Sequence, residues 1–538
     1  MDKQQKTLKN QHSDEVSTED LKNELSKKNQ EIAILEKKLA WFEEQFRLSK
    51  SKEFEASSEK TPLEQLQIFN EAEVHERENA KEPELEEITI RRRKGKRGLN
   101  KPSFQELPVE TVEYELEDQE CPNCESPLHS MKKEVRRELT VIPPKVKITE
   151  HVKHVYACRT CQVKGDEDLS PIHSAKTPNP VLPGSFVSPS LLAFIIDNKY
   201  RQSLPLYRQE EAFKNYGIDI TRQNMANWVI RGTEDWLRPL VERMHELLLE
   251  ETYLHADETT LTVLDKQGED TRKKNYMWVY TSSESARPIM IYDYQPSRSH
   301  KHPMNFLKGY QGFLQTDGFS AYKKLPDVTL VGCFAHARRY FVEAIKAAPK
   351  DANPAKSLAQ EGKKKIDALF SLEKGYKKMG LSPEERQQMR MEEVKPLTDD
   401  FHRWLLEAKT KVLPKSALGK AVNYCLKQWN ELIAFLLDPQ SALSNNHAER
   451  AIKNFVIGRK NFLFCKTPKG ATASAMAYSV VTTAAANNLV PFQYLSHLFE
   501  RLPNIDLENR DELDRLLPWS KELPEECYKP SAKNEEPS

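Results

Sequence analysis

Five short β-rich runs between residues 252 and 333 set the architecture this chain has to adopt. Thr252–Leu264, Tyr276–Thr281, Pro288–Tyr294, Gly312–Thr316 and Val328–Cys333 are dense in β-branched and aromatic residues and read as strands. The first three follow one another without a helical break, so they form an antiparallel meander. A short helix, Pro303–Lys308, precedes the fourth run, and a longer one, Ala335–Ala348, follows the fifth. No clear helix separates the fourth run from the fifth.

The order β-β-β-α-β-α-β-α is that of the ribonuclease H-like fold, in which, by analogy, the first and fourth strands are neighbours. Two carboxylates matter in that order. Asp257 lies in the first strand, in His255-Ala-Asp-Glu-Thr259, and Asp317 ends the fourth, in Leu314-Gln-Thr-Asp-Gly-Phe319. If those strands pair, the two acids face each other and offer converging oxygen ligands for a divalent cation. Alternation points Glu258 to the other face of the sheet. Asp293, at the end of the third strand, is a weaker candidate, because an isolated Asp after a strand is more often a turn former.

A helical block follows at 346–440, rich in Lys, Glu, Leu and Ala and broken by Pro354, Pro383, Pro396 and Pro414, as an insertion into the sheet domain would be. Then comes Ser444-Asn-Asn-His-Ala-Glu-Arg-Ala-Ile-Lys453, where Ser444 or Asn445 can cap a helix carrying Glu449 in its first turns. Residues 446–470 hold six Lys/Arg and one acid. A single carboxylate in a basic surface fits a metal ligand beside bound phosphates; a surface ion pair with Arg450 or Lys453 fits it equally.

Cys121-Pro-Asn-Cys124 and Cys158-Arg-Thr-Cys161 are two Cys-x-x-Cys knuckles, each preceded by a β-like segment, Glu110–Leu116 and Lys145–Ala157. Two knuckles supply four thiolates, which close a tetrahedral Zn²⁺ site with no open position; the site is structural. A strand hairpin fills the 33 residues between the pairs.

Residues 188–232 read as helices. Ser188-Pro-Ser190 caps the first, Pro205 starts Leu206–Asn215, Gly217 ends it, and Thr221 caps Arg222–Arg231. The last two resemble a helix-turn-helix, whose base-reading residues would be Arg222, Gln223 and Asn227. An ordinary helical hairpin has the same pattern. Near the N-terminus, Leu21, Leu25, Lys28, Ile32, Leu35, Leu39, Phe42 and Phe46 alternate in steps of four and three, a coiled-coil seam for self-association, or else a lone amphipathic helix docked on its own protein.

Lys plus Arg equals Asp plus Glu at 81 each, which by itself argues against a simple polybasic binder. The zero is segregated, however. Residues 53–87 hold twelve acids against three bases, whereas Arg91-Arg92-Arg93-Lys94-Gly95-Lys96-Arg97 is nearly all basic and suits phosphates. Charge acts within about 8–10 Å, so such blocks do not cancel at a surface. No apolar run approaches the ~20 residues of a membrane span, and the polar N-terminus lacks a signal-peptide core. A cytoplasmic location is expected.

Together HADET, LQTDGFSAY, GCFAHARRYF, SNNHAERAIKNFVIGRKNFLF and the CPNC…CRTC pair resemble a bacterial transposase of the insertion-sequence-sixty-six type. The resemblance runs over nearly the whole chain; only Phe46-Arg-Leu-Ser-Lys-Ser-Lys-Glu53 is looser than the family pattern. It implies a DDE catalytic domain with Asp257, Asp317 and Glu449 as a triad holding two Mg²⁺ ions, with Mn²⁺ as the alternative. It further implies strand cleavage and strand transfer on double-stranded DNA. Arg450, Lys453, Arg459 and Lys460 would clamp phosphates, with His336, Arg338 and Arg339 as weaker candidates beside the site. Small accessory proteins of the same element are implied as partners. The resulting architecture is multidomain α+β: a coiled-coil helix (1–50), a charged linker (51–104), a zinc-ribbon-like domain (105–180), a helix-turn-helix region (185–245), a ribonuclease H-like domain in two parts (250–345 and 441–502) around the helical insertion, and an acidic tail (503–538). The rival expectation is a DNA-binding regulator that uses the zinc, helix-turn-helix and coiled-coil parts without cutting.

Overall fold

The computed structural model describes residues 145–157, 172–264, 274–283, 287–348 and 357–530, with scattered helical positions between 25 and 42. It divides into two compact units, one of Met1–Ala56 with His173–Lys529, the other of Ser57–Ile172 with Pro530–Ser538. In the smaller unit, of the β-like stretch 145–157 only β1 (Val155–Ala157) is a strand. Beyond the second cysteine pair in sequence comes β2 (Ile172–Ser174). The four cysteines themselves, the acidic stretch and the basic run Arg91–Arg97 lie outside the described residues. The described seam positions Leu25, Ile32, Leu35, Leu39 and Phe42 are helical and 51–63% exposed.

The larger unit opens with α1 (Pro189–Tyr200), α2 (Leu206–Asn215), α3 (Arg222–Gly232) and α4 (Arg238–Leu248). The caps are those the sequence predicts: the Ser188 hydroxyl accepts from Leu191 N–H and Thr221 from Asn224 N–H. Gly217 ends the α2 turn at φ +74°, a conformation open to glycine.

The sheet has five strands: β3 (Tyr253–Leu261), β4 (Asn275–Ser282), β5 (Met290–Gln295), β6 (Gly312–Gln315) and β7 (Val328–Val331). Their lateral order is β5-β4-β3-β6-β7. The first three are antiparallel and the last two join parallel to β3 and to each other. Between β6 and β7 there is only a single 3-10 turn, Tyr322–Lys324. The short helix α5 (Lys301–Phe306) precedes β6, and α6 (Phe334–Ala347) follows β7.

The helical block is α7 (Leu358–Met379), α8 (Pro383–Met389), α9 (Lys395–Lys411), α10 (Ala417–Lys427) and α11 (Trp429–Ile433). It has its own core, with Ile366, Leu369, Phe401, Leu405, Val422 and Phe435 against Phe334 and Phe341 of α6. Arg390 is fully buried there, paired with Glu373 at 2.6 Å and donating to Ser441 O at 2.7 Å. Tyr253 Oη accepts from Ala442 N–H at 3.0 Å. The segment leading to residue 445 is thus held from the block and from β3 at once.

Three helices return to the sheet: α12 (Asn446–Phe462), α13 (Pro468–Ala486) and α14 (Pro491–Arg501). Nearly every residue of α13 from Ala471 to Ala484 is buried, as a helical stretch rich in Ala, Ser, Thr and Val and free of charges has to be. Its hydroxyls serve β5, the last strand on that side of the sheet. Ser479 Oγ accepts from Tyr292 N–H at 2.8 Å, and Thr483 Oγ1 accepts from Met290 N–H and donates to Met290 O, both at 3.0 Å. An edge strand's free backbone groups are satisfied here by a helix rather than by another strand.

The stretch expected as an acidic tail is folded up to residue 530. Leu513, Leu516, Leu517, Leu523 and Cys527 are buried in the main core, and Val490 N–H donates to Cys527 O at 2.7 Å. Its apolar positions, set among the acidic ones, are enough to dock it. Among the described residues no helix is long and apolar enough to cross a membrane.

Candidate active site

The register between β3 and β6 decides where the two aspartates stand. Tyr253, Leu254 and His255 pair with Phe313, Leu314 and Gln315. The same offset, carried two residues further, sets Asp257 beside Asp317. Side chains that pair laterally share a face. Across β4 and β5, the partners of Asp257 are Val279 and Tyr292. Tyr292 donates its hydroxyl to Ala451 O of α12 at 2.7 Å, so α12 covers this face.

Asn445 fixes the start of α12. It is fully buried, and although it occupies the cap position it makes no cap bond to its own helix. Its Nδ2 donates to Ala256 O at 2.8 Å and its Oδ1 pairs with His255 Nδ1 at 3.0 Å. Both partners are in β3, immediately before Asp257. Glu449, one turn into α12, is thereby near enough for its charge to act on Asp257, but among the described residues its ligand atoms converge within 4.8 Å with those of Cys333 and His336, not with both aspartates. His336 Nδ1 and Arg339 Nη2 of α6 lie 3.6 and 3.7 Å from the Glu449 carboxylate oxygens.

Asp317 is held by the helical block. Tyr424 Oη, on α10, donates to Asp317 O at 2.9 Å, and Gln428 Nε2 donates to Gly318 O at 3.2 Å. Gly318 has φ +92°, and a Cβ there would lie 2.9 Å from Gln428 Nε2. The Asp317 carboxylate accepts from Phe319 N–H at 2.9 Å, closing the turn.

Burial and like charges meet at Asp257. Burial, then the negative charges of Glu258 and Asp317, push the Asp257 carboxyl well above its ordinary range, and Glu449 adds to this. Glu449 Oε1 is buried with no hydrogen-bond partner. Carboxylates whose charges oppose one another have the donor chemistry of a hard divalent cation, which would reverse the penalty, although the three acids do not converge within 4.8 Å here.

Other expected residues are placed as follows. Glu258 is on the opposite face, accepting from Tyr322 Oη at 2.7 Å and from Arg298 Nε at 2.8 Å. Asp293 lies within β5 rather than after it. It pairs through Trp278 with Glu258 and so shares that other face, where burial pushes its carboxyl up to about 6. Arg459 departs from its expected role at a phosphate: its Nη1 donates to Thr260 Oγ1 at 3.0 Å and to the Thr260 carbonyl, fastening α12 to β3. Arg338 is also turned away, to Asp367 of α7 at 2.6 Å. Arg450 and Lys460 are exposed and Lys453 is half-buried. Arg222, Gln223 and Asn227 are exposed on α3. Asn227 also borders an open cavity of about 580 Å³ with Phe186, Asn224, Trp228, Arg231 and Lys469.

Sequence reasoning missed Asn445 as a clamp, His255 as its partner, and Tyr424 and Gln428 as supports. For Asn445 a signal existed, since a second Asn follows it at the helix start. For Tyr424 and Gln428 nothing local distinguished them.

Comparison with known proteins decides the family. A model described as "Transposase IS66 family" matches residues 184–473, which include both aspartates, the helical block and Glu449. The chain belongs to the IS66 transposase family. A model for the zinc-finger binding domain of IS66 transposases matches 118–162 and contains all four cysteines. The IS66 C-terminal element matches 479–519. A model described as "Transposase C of IS166 homeodomain" matches 41–112, which includes Arg91, Arg92, Arg93 and Lys94. Among curated proteins, the uncharacterized protein y4hP of Sinorhizobium fredii is 31% identical over 412 residues, 73% of this chain and 72% of that protein. The uncharacterized protein y4jD of the same organism is 29% identical over 430 residues, 77% and 80% of the two chains.

Proposed function

We propose that this IS66-family protein is an active DDE transposase that cuts DNA at the ends of its element and joins those ends to target DNA. The observation that supports the reading is the β3–β6 register, which, extended two residues, sets Asp257 beside Asp317, together with the Asn445 bonds that tie the start of the Glu449 helix to β3. The strand order third-second-first-fourth-fifth supports a ribonuclease H-like platform.

Asp257, Asp317 and Glu449 would hold Mg²⁺ or Mn²⁺. Bound there, the metal supplies Lewis-acid activation of a water or 3′-hydroxyl nucleophile and stabilises the departing 3′-oxygen. The chain's own part is positional. Asn445 and Arg459 hold α12 on β3, while Tyr424 and Gln428 fix the Asp317 turn. Arg450, Lys453 and Lys460 neutralise backbone phosphates along α12, and Arg222, Gln223 and Asn227 read the terminal repeats from α3. The four cysteines hold one structural Zn²⁺. The exposed leucine seam near the N-terminus pairs two protomers, one for each element end. Arg91–Lys94 adds phosphate contacts, and small accessory proteins of the element join the complex.

The test is in vitro cleavage and strand transfer on defined element ends with Mg²⁺. Asp257→Asn, Asp317→Asn and Glu449→Gln should each lower cleavage at least about 1,000-fold while DNA binding stays within about threefold. A variant that cuts normally removes its residue from the triad. A wild-type chain that binds ends but never cuts would make the protein a regulator instead.

A further inference from the structure

The start of α6 presents a second donor set to Glu449. Cys333 precedes the helix and His336 sits in its first turn. One ligand atom from each of Cys333, His336 and Glu449 lies within 4.8 Å of the other two. His336 Nδ1 and Glu449 Oε1 are 3.6 Å apart, and both are buried with no hydrogen-bond partner. Leaving a buried polar atom unpaired is costly. Two such atoms facing each other beside a thiol are the lining of a cation site.

The donor chemistry selects the ion. Thiolate and imidazole suit Zn²⁺, whereas Mg²⁺ takes oxygens. Tetrahedral zinc, with bonds of about 2.0–2.3 Å, brings its ligands roughly 3.3–3.7 Å apart. The His336–Glu449 pair already stands at that spacing. Cys333 is fully buried, and its Sγ accepts backbone bonds that include Asn445 N–H at 3.3 Å. The side chains of His336 and Glu449 remain 20% and 30% exposed, which leaves an open side for a water as fourth ligand.

We propose that Cys333, His336 and Glu449 form a thiophilic metal site of the Zn²⁺ class, separate from the four-cysteine site, that competes with the aspartate pair for Glu449. Metal binding itself is independent of the reading above; the competition rests on it. An ion here draws the Glu449 carboxylate toward α6 and away from Asp257 and Asp317. Arg339 opposes entry. Its Nη1 is 3.3 Å from His336 Nε2 and its Nη2 3.7 Å from Glu449 Oε2. A metal on Nδ1 puts the ring proton on Nε2, so this exposed guanidinium has to turn outward.

The experiment uses the full chain with zinc already in its cysteine domain. Equilibrium dialysis against Zn²⁺ should find a second equivalent per chain. Co²⁺ added to the same protein should raise a thiolate-to-cobalt absorption band as that equivalent fills. Cys333→Ser should abolish the new band, and both it and His336→Asn should weaken the second equivalent at least about 100-fold. Arg339→Ala should tighten it. Saturation of the wild type at one zinc, or a second equivalent indifferent to both ligand substitutions, overturns the site. A second zinc that binds through these ligands yet leaves Mg²⁺-dependent cleavage intact refutes the competition for Glu449. A chain that takes up the second zinc but cuts nothing under any condition leaves the site standing and refutes the catalytic reading.

Discussion

Asn445→Ala tests the clamp that brings the third acid to the sheet. The wild-type amide is fully buried and joins Ala256 O at 2.8 Å and His255 Nδ1 at 3.0 Å. Truncation strands one carbonyl and one ring nitrogen away from water. At about 1–3 kcal/mol for each stranded group, the sheet unit should lose roughly 2–6 kcal/mol. Asn445→Asp is the sharper variant. It keeps an oxygen for His255 Nδ1–H but sets a second oxygen against the Ala256 carbonyl, so it should cost at least as much despite its near-identical shape. Denaturant unfolding followed by the emission of the chain's tryptophans, Trp278 of the sheet among them, measures the loss. Cleavage should fall about 100-fold in whatever fraction remains folded, because a displacement of about 1 Å at a reacting group has that effect. A loss below about 0.5 kcal/mol in both variants, with normal cleavage, would refute the clamp.

Further outcomes follow from other parts of the molecule. Gly318→Ala forces φ +92° on a residue with a Cβ and drives that Cβ to 2.9 Å from Gln428 Nε2; it should cost about 1–3 kcal/mol and lower cleavage by moving Asp317, both measured as above. Metal analysis of chain purified without chelator should find at least one tightly held Zn²⁺, and Cys121→Ala or Cys158→Ala should lose it; recovering none from the wild type would sink the four-thiolate site. Burial pushes Lys199 down to about 8 from 10.5, so the folded state carries an unfavourable charge below pH 8 that is relieved as pH rises toward 10.5. Lys199→Met should therefore raise stability at pH 7 by about 1–3 kcal/mol and flatten the rise in stability between those two pH values, read from melting curves across pH.

The sheet was legible because its signal is local. Strands such as Tyr276–Thr281 differ from the observed Asn275–Ser282 by one residue at each end. The caps Ser188 and Thr221 were legible for the same reason. Helix α13 escaped notice as a support for β5, since Ser479 and Thr483 show no purpose until an unpaired strand edge lies beside them. Arg459 misled because its charge reads as phosphate-seeking, and only the fold reveals two threonines of β3 within its reach. Asp257 and Asp317 could be nominated from strand order, but the residues that hold them come from α10 and α12, more than a hundred positions away. Long-range placement of this kind has no periodicity to detect.

The spacing of the three acids along the chain has a consequence during synthesis. Asp257 and Asp317 can pair as soon as β6 has formed beside β3. Glu449 belongs to a helix that cannot be seated until the whole helical block has been made, because Arg390 and Tyr253 hold the segment before it. Domains fold as units while the chain emerges from the ribosome. A nascent protein, or one cut short by a stop codon within the block, therefore carries two acids and lacks the third. On the proposed reading, the three acids come together only near the end of translation, after most of the parts proposed to bind DNA have been made.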